Sequence, residues 1–241
     1  RVIDDPDPPP MRTLALVPVA DQPLPEGLAA RLAAALQTHR RTDLLDAAAF
    51  RDALGPAAPD GEEAATWLNS REGAAELLLF DCSGGDEDFA RAAIRQADHV
   101  ILVGRAGTVP PPSPTEALAL ALLAPEALSL ALIHPARSDR VSGTAHWLHS
   151  RAVGRHHHLA LDGAADIERL ARFLAGQAIG LVCSGGGAHG VAHVGVYQAL
   201  AEIGIAPDIT GGSSVGAAMS AAFALCRAPG DIMALVQQIF V

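Results

Sequence analysis

Near the end of the 241-residue chain, Gly212-Ser213-Ser214-Val215-Gly216 fits the pattern G-x-S-x-G. A short strand is expected over 207–210 and a small-residue helix over 217–226. A serine between a strand and a helix sits on a sharp turn, where flanking glycines leave room that a Cβ would fill. Its hydroxyl then projects from the sheet edge, above a helix N-terminus that favours developing negative charge. That is the arrangement of a nucleophile in acyl transfer. Three fixed positions in five recur by chance in a Gly-rich chain, so the surroundings decide.

The surroundings supply a second glycine motif. Gly185-Gly186-Gly187-Ala188-His189-Gly190 fits G-x-G-x-x-G, between a strand expected over 179–183 and a helix over 191–203. One reading is a dinucleotide site, which needs an acidic residue at the end of the next strand to hold the ribose. Here that strand ends in Gly211-Gly212-Ser213, and Asp208 stands at its start. The other reading is an oxyanion hole, in which the N–H groups of Gly185, Gly186, Gly187 and Ala188 lie unshielded and aimed at one spot. A donor loop one strand away from a nucleophile elbow makes a coherent acyl-transfer site. His189 is a possible contact for a headgroup or for the loop. In α/β-hydrolases the histidine base follows the nucleophile in sequence, which argues against His189 in that role. His193 lies four residues on and reads as a helix-packing histidine.

Other candidates carry less. His156-His157-His158 looks like a metal cluster, but neighbours on a strand point to alternate faces and do not converge on one ion. They read as solvated histidines at a strand start. Cys82, Cys183 and Cys226 are odd in number and scattered, which is neither a disulfide framework nor a zinc set, and fits a reducing, cytoplasmic setting. No metal and no cofactor is expected. All 17 basic residues are arginine. Without lysine there is no Walker-type phosphate loop, Ser-Lys dyad or Schiff base. The formal net charge of -10 excludes nucleic acid as a partner.

The elements that position this chemistry follow from apolar runs. Half of the chain is hydrophobic but only 4% is aromatic, so Ala, Leu and Val build the core. Residues 1–10 are acidic and proline-rich and read as a linker. Strands are expected over 13–19, 76–82, 99–104, 128–134 and 157–161. Helices are expected over 27–38, 62–70, 86–96, 115–123, 144–150 and 164–175. The apolar stretch 117–133 is broken by Pro125 and Glu126, so it reads as helix, turn and strand and not as a membrane span. Alternating apolar strands and helices imply a parallel sheet covered on both faces. Residues 11–176 therefore form an α/β, Rossmann-like, doubly wound domain, with no glycine cradle after its first strand. Asp81 ends a strand, and Asp86, Glu87 and Asp88 stabilise a helix N-terminus.

Residues 184–190, His193-Val194-Gly195-Val196 and 208–216 together resemble the opening of a patatin-like phospholipase domain, an α/β/α hydrolase, over 177–241. The preceding region, with 94–98 and 144–151, is similar to the bacterial relatives of neuropathy target esterase. The resemblance implies hydrolysis of phospholipid or lysophospholipid esters by a Ser-Asp dyad, with peripheral contact at the inner membrane. It implies a cyclic-nucleotide-binding domain upstream. The family's Asp lies in a downstream D-G-[GA] motif. Asp231 is followed by Ile232-Met233, so the hydrolase domain is expected to be truncated here and the chain alone inactive. The family usually has Arg or Lys where this chain has His189, which leaves headgroup preference open. The rival reading is a regulatory or interaction protein with a vestigial hydrolase portion and a Rossmann-like domain that binds a partner or nucleotide.

Overall fold

The computed structural model describes residues 11–55, 61–138, 141–225 and 229–240. The linker expected over 1–10 and Cys226 lie outside them. The chain divides into two compact units, Arg1–Ala175 and Gly176–Val241.

Unit 1 is built on runs of Leu, Val, Ile and Ala that have no polar alternation, so its central strands are buried on both faces. β1 (Thr13–Pro18), β3 (Leu77–Asp81), β4 (His99–Arg105) and β5 (Leu128–His134) are of this kind. With β2 (Thr42–Asp46) and β6 (Arg155–Ala160) they form a six-stranded parallel sheet in the order β2-β3-β1-β4-β5-β6. Alternate residues feed two cores. Leu14 and Leu16 face α1 (Leu28–Gln37) and α7 (Ala165–Leu174), through Leu32, Leu36, Ile167 and Leu170. Ala15 and Val17 face the other core, where α3 (Gly61–Glu72), α4 (Glu87–Gln96), α5 (Pro114–Leu122) and α6 (Thr144–Ser150) contribute Leu68, Phe89, Ala119 and Trp147.

The doubly wound α/β expectation holds, with one addition. β2 and α2 (Ala47–Leu54) occupy a stretch for which the sequence predicts no element. β2 is an edge strand in which only Leu45 is buried, so Thr-Asp-Leu-Leu-Asp carries neither a long apolar run nor a clean alternation. Its insertion at the edge puts β3, not β2, beside β1, where the usual Rossmann order is 3-2-1-4-5-6. Asp46 caps α2 by accepting from Ala49 N–H, and Asp86 caps α4 by accepting from Phe89 N–H. Asp86 also takes a bidentate ion pair from Arg51. The Asp81 carboxylate accepts from Ser83 N–H and closes the turn after β3.

The histidine run departs from expectation. His157 is buried against Phe173, and His158 Nδ1 lies 2.9 Å from His134 Nε2. These two are packed, not solvated, because the strand begins at Arg155 and places His157 on the α7 face. Among the described residues no group of three or more His, Cys, Asp or Glu could hold a metal ion.

Unit 2 consists of β7 (Gly180–Cys183) and β8 (Ile209–Gly212), paired in parallel, with α8 (Ala192–Glu202), α9 (Val215–Leu225) and α10 (Pro229–Phe240). Its core joins Cys183, Val194, Met219, Phe223, Ile232 and Val236, with Tyr197 stacked on Phe223 at 4.4 Å between centroids. Ser220 Oγ donates to Gly211 O at 2.7 Å and ties α9 to β8. Asp208 Oδ2 accepts from Ile179 N–H and aligns the starts of the two strands.

Candidate active site

β8 ends at Gly212 and α9 begins at Val215, so two residues make the whole connection. Both boundaries fall nearer Ser214 than the sequence predicts, because the strand and the helix are separated by a single sharp turn. Ser214 has φ +53°, the left-handed region that costs an L-residue roughly 1–2 kcal/mol. Among the described residues, only Ala20 shares that feature without being glycine. A strained, exposed serine between strand and helix is the geometry of a nucleophile elbow.

The motif glycines are there for close approach. A Cβ on Gly212 would lie 2.6 Å from Cys183 O, and one on Gly216 would lie 2.5 Å from Ser184 O. A Cβ on Gly190 would collide with the Val215 side chain. These three positions press the turn after β7 against the start of α9. Gly216 N–H donates to Ser213 O at 2.9 Å, and Ala217 N–H donates to Ser214 O at 2.9 Å, which closes the first turn of α9 under the serine.

The glycine loop follows β7. Gly185 abuts the serine, since a Cβ built on it would lie 3.3 Å from Ser214 Cβ. Gly187 has φ +54° and opens a tight turn over Gly187–Val191, in which His189 N–H donates to Gly186 O at 3.2 Å. Among the described residues, no backbone hydrogen bond uses the N–H groups of Gly185 or Gly186. Those of Gly187 and Ala188 are first-turn groups with no partner inside the turn. Gly185 to His189 are all exposed. His193 is the site residue whose contact the sequence misses: its Nε2 lies 2.9 Å from Ser184 O. No spacing rule signals that contact, because the turn over 187–191 brings the two together.

Unit 1 has a topological switch point, where β1 and β4 lie side by side and their following helices cover opposite faces of the sheet. It is filled from within. Glu116 Oε1 accepts from Ala20 N–H at 2.7 Å and from Ser113 N–H at 3.0 Å, while its Oε2 takes Arg151 Nε at 2.7 Å. Both side chains are completely buried, and the Arg151 guanidinium lies 5.1 Å from the Trp147 ring centroid. A protein carboxylate sits where α/β folds of this kind commonly receive a ligand.

Two family models match the chain. Residues 181–241 match Patatin-like phospholipase, the class to which the elbow and the glycine loop correspond. Residues 10–175 match Neuropathy Target Esterase family P-loop like domain. The chain belongs to the neuropathy target esterase family of patatin-like phospholipases. It is 31% identical over 257 residues to patatin-like phospholipase domain-containing protein 7 of Rattus norvegicus, covering 95% of this chain and 19% of that protein. It is 30% identical over 244 residues to patatin-like phospholipase domain-containing protein 6 of Homo sapiens, covering 89% and 18%. Neuropathy target esterase sws of Drosophila erecta is 30% identical over 243 residues, covering 87% and 16%. The chain therefore spans under a fifth of the length of these relatives.

Proposed function

We propose that the full-length protein hydrolyses carboxyl esters of phospholipids or lysophospholipids, with Ser214 as nucleophile. The left-handed backbone of Ser214, set against the unpaired N–H groups of the glycine loop, carries this reading. Ser214 Oγ attacks the ester carbonyl as its proton passes to an aspartate. The N–H groups of Gly185, Gly186, Gly187 and Ala188 stabilise the oxyanion, and the same proton then goes to the leaving alcohol. Water then attacks the acyl carbon as its proton passes to the aspartate, and that proton moves to Ser214 Oγ as the fatty acid leaves. The aspartate is supplied from outside residues 1–241. In support, among the described residues Ser214 Oγ makes no hydrogen bond, and the Asp208 carboxylate is engaged by Ile179 N–H. On this reading the 241-residue chain by itself turns over no ester. His189 stands exposed at the loop and meets the phosphate of the headgroup.

Substrate is met at a lipid surface by peripheral contact. Among the described residues no helix is long and apolar enough to cross a membrane. Unit 1 takes no nucleotide on this reading, because Glu116 occupies its topological switch point.

The test is covalent labelling of the full-length protein with a fluorophosphonate, read by mass spectrometry. The adduct is expected on Ser214 alone. Undiminished labelling of Ser214→Ala, on Ser213 or Ser184, removes the assignment.

A further inference from the structure

We infer that His193 is a positioning residue for the oxyanion loop: its imidazole fixes the peptide that opens the loop. The inference rests on Ser214 acting as the nucleophile. His193 is the second residue of α8, and its Nε2 lies 2.9 Å from the carbonyl oxygen of Ser184. A carbonyl only accepts, so Nε2 carries the proton, in the neutral ring and in the charged one alike. The Ser184 carbonyl belongs to the same planar peptide as the Gly185 N–H, and in a trans peptide the two groups point in opposite directions. Anchoring the carbonyl therefore aims the N–H.

Gly185 is the loop glycine that abuts the nucleophile, within 3.3 Å of Ser214 Cβ for an added Cβ. The peptide also lies in the tightest packing of the elbow, since the Ser184 oxygen is one of the atoms that forbid a side chain at Gly216. The loop itself has little to hold it. Three consecutive glycines have no side chain to pack and the greatest backbone freedom of any residue. Within the loop, His189 N–H to Gly186 O is the restraint at the far end. At the near end close packing and the Ser213 N–H to Cys183 O bond hold the strand end, and His193 adds the hydrogen bond to the loop's first carbonyl, from a helix whose Val194 is buried in the core of unit 2.

Two substitutions test this in the full-length protein, on a short-chain p-nitrophenyl ester. The amide nitrogen of His193→Gln reaches the place of Nε2, whereas that of His193→Asn stops about one bond short. Both are small polar changes at a half-buried position in the first turn of α8. The Gln variant is expected to keep kcat within about threefold of wild type. The Asn variant is expected to lose about tenfold or more in kcat with KM within about twofold, below the ~10²–10³ that follows loss of a whole donor. The pH profile of kcat should be the same in all three proteins, because the anchor donates in either ionisation state. Wild-type kcat in His193→Asn overturns the inference, and so does a His193→Gln variant that falls as far as His193→Asn. Turnover that survives Ser214→Ala overturns the nucleophile assignment, and the inference with it.

Discussion

Acidification should destabilise unit 1 through histidines that the fold keeps neutral, above all the two most buried, His99 and His157. Burial pushes His157 down to about 4, helped by Arg169 and Arg155, and burial pushes His99 down to about 4, helped by Arg155. His99 Nε2 is bonded to Ser129 Oγ at 2.8 Å, and His157 packs edge-on against Phe173 at 5.4 Å. In the unfolded chain both titrate near 6.5. The folded state therefore binds fewer protons than the unfolded one between these values. The stabilisation is full above about pH 6.5 and is lost as pH falls towards 4. From pH 7 to pH 5 the difference amounts to about 2 kcal/mol per histidine, or about 4 kcal/mol for the two, at about 1.4 kcal/mol per pH unit. That is a large part of the roughly 5–15 kcal/mol available to a domain. Both tryptophans, Trp67 and Trp147, lie in unit 1, so their fluorescence reports its unfolding. In urea titrations, an m of about 2 kcal/mol/M makes the expected loss a fall of about 2 M in midpoint. The double variant His99→Gln/His157→Gln should remove most of the pH dependence over this range. A midpoint unchanged between pH 7 and pH 5, or a slope as steep in the double variant as in the wild type, refutes the reasoning; His158, which burial also pushes down to about 4, keeps a smaller slope in both.

Two further outcomes follow. Gly216→Ala should abolish fluorophosphonate labelling of Ser214 in the full-length protein, because its Cβ meets the Ser184 carbonyl at 2.5 Å and backbone must move; retained labelling contradicts the packing described. Glu116→Leu should lower unfolding stability by about 3–5 kcal/mol by leaving Arg151 charged and unpaired in the core. Adding Arg151→Leu should recover most of that loss, and a double variant no better than the single would show that the charge is not the cause.

Most of the architecture was legible because apolar runs of five to seven residues have one use in a chain with few aromatics. For 128–134 and 144–150 the sequence pattern predicts the observed ends. β2 escaped because an edge strand needs only one buried face. Gly212, Gly216 and Gly190 were legible because each marks a contact that no side chain permits. His193 and the Glu116–Arg151 pair were not, since their partners are set by turns and by a sheet crossing 35 residues wide. His157 escapes the sequence for a related reason: a run of like residues hides which member faces inward.

The backbone at Ser214 has a consequence for descent. At φ +53° a glycine would sit without strain, so Ser214→Gly should make unit 2 more stable by roughly 1 kcal/mol, before any loss of the hydroxyl is counted. Stability alone thus favours losing the proposed nucleophile, by a single-residue change that adds no side chain to the elbow. Serine at this position is held against that drift only where its hydroxyl is used. A relative in which selection for hydrolysis has lapsed should carry glycine there while keeping Gly212 and Gly216, whose demand is steric and outlives the chemistry.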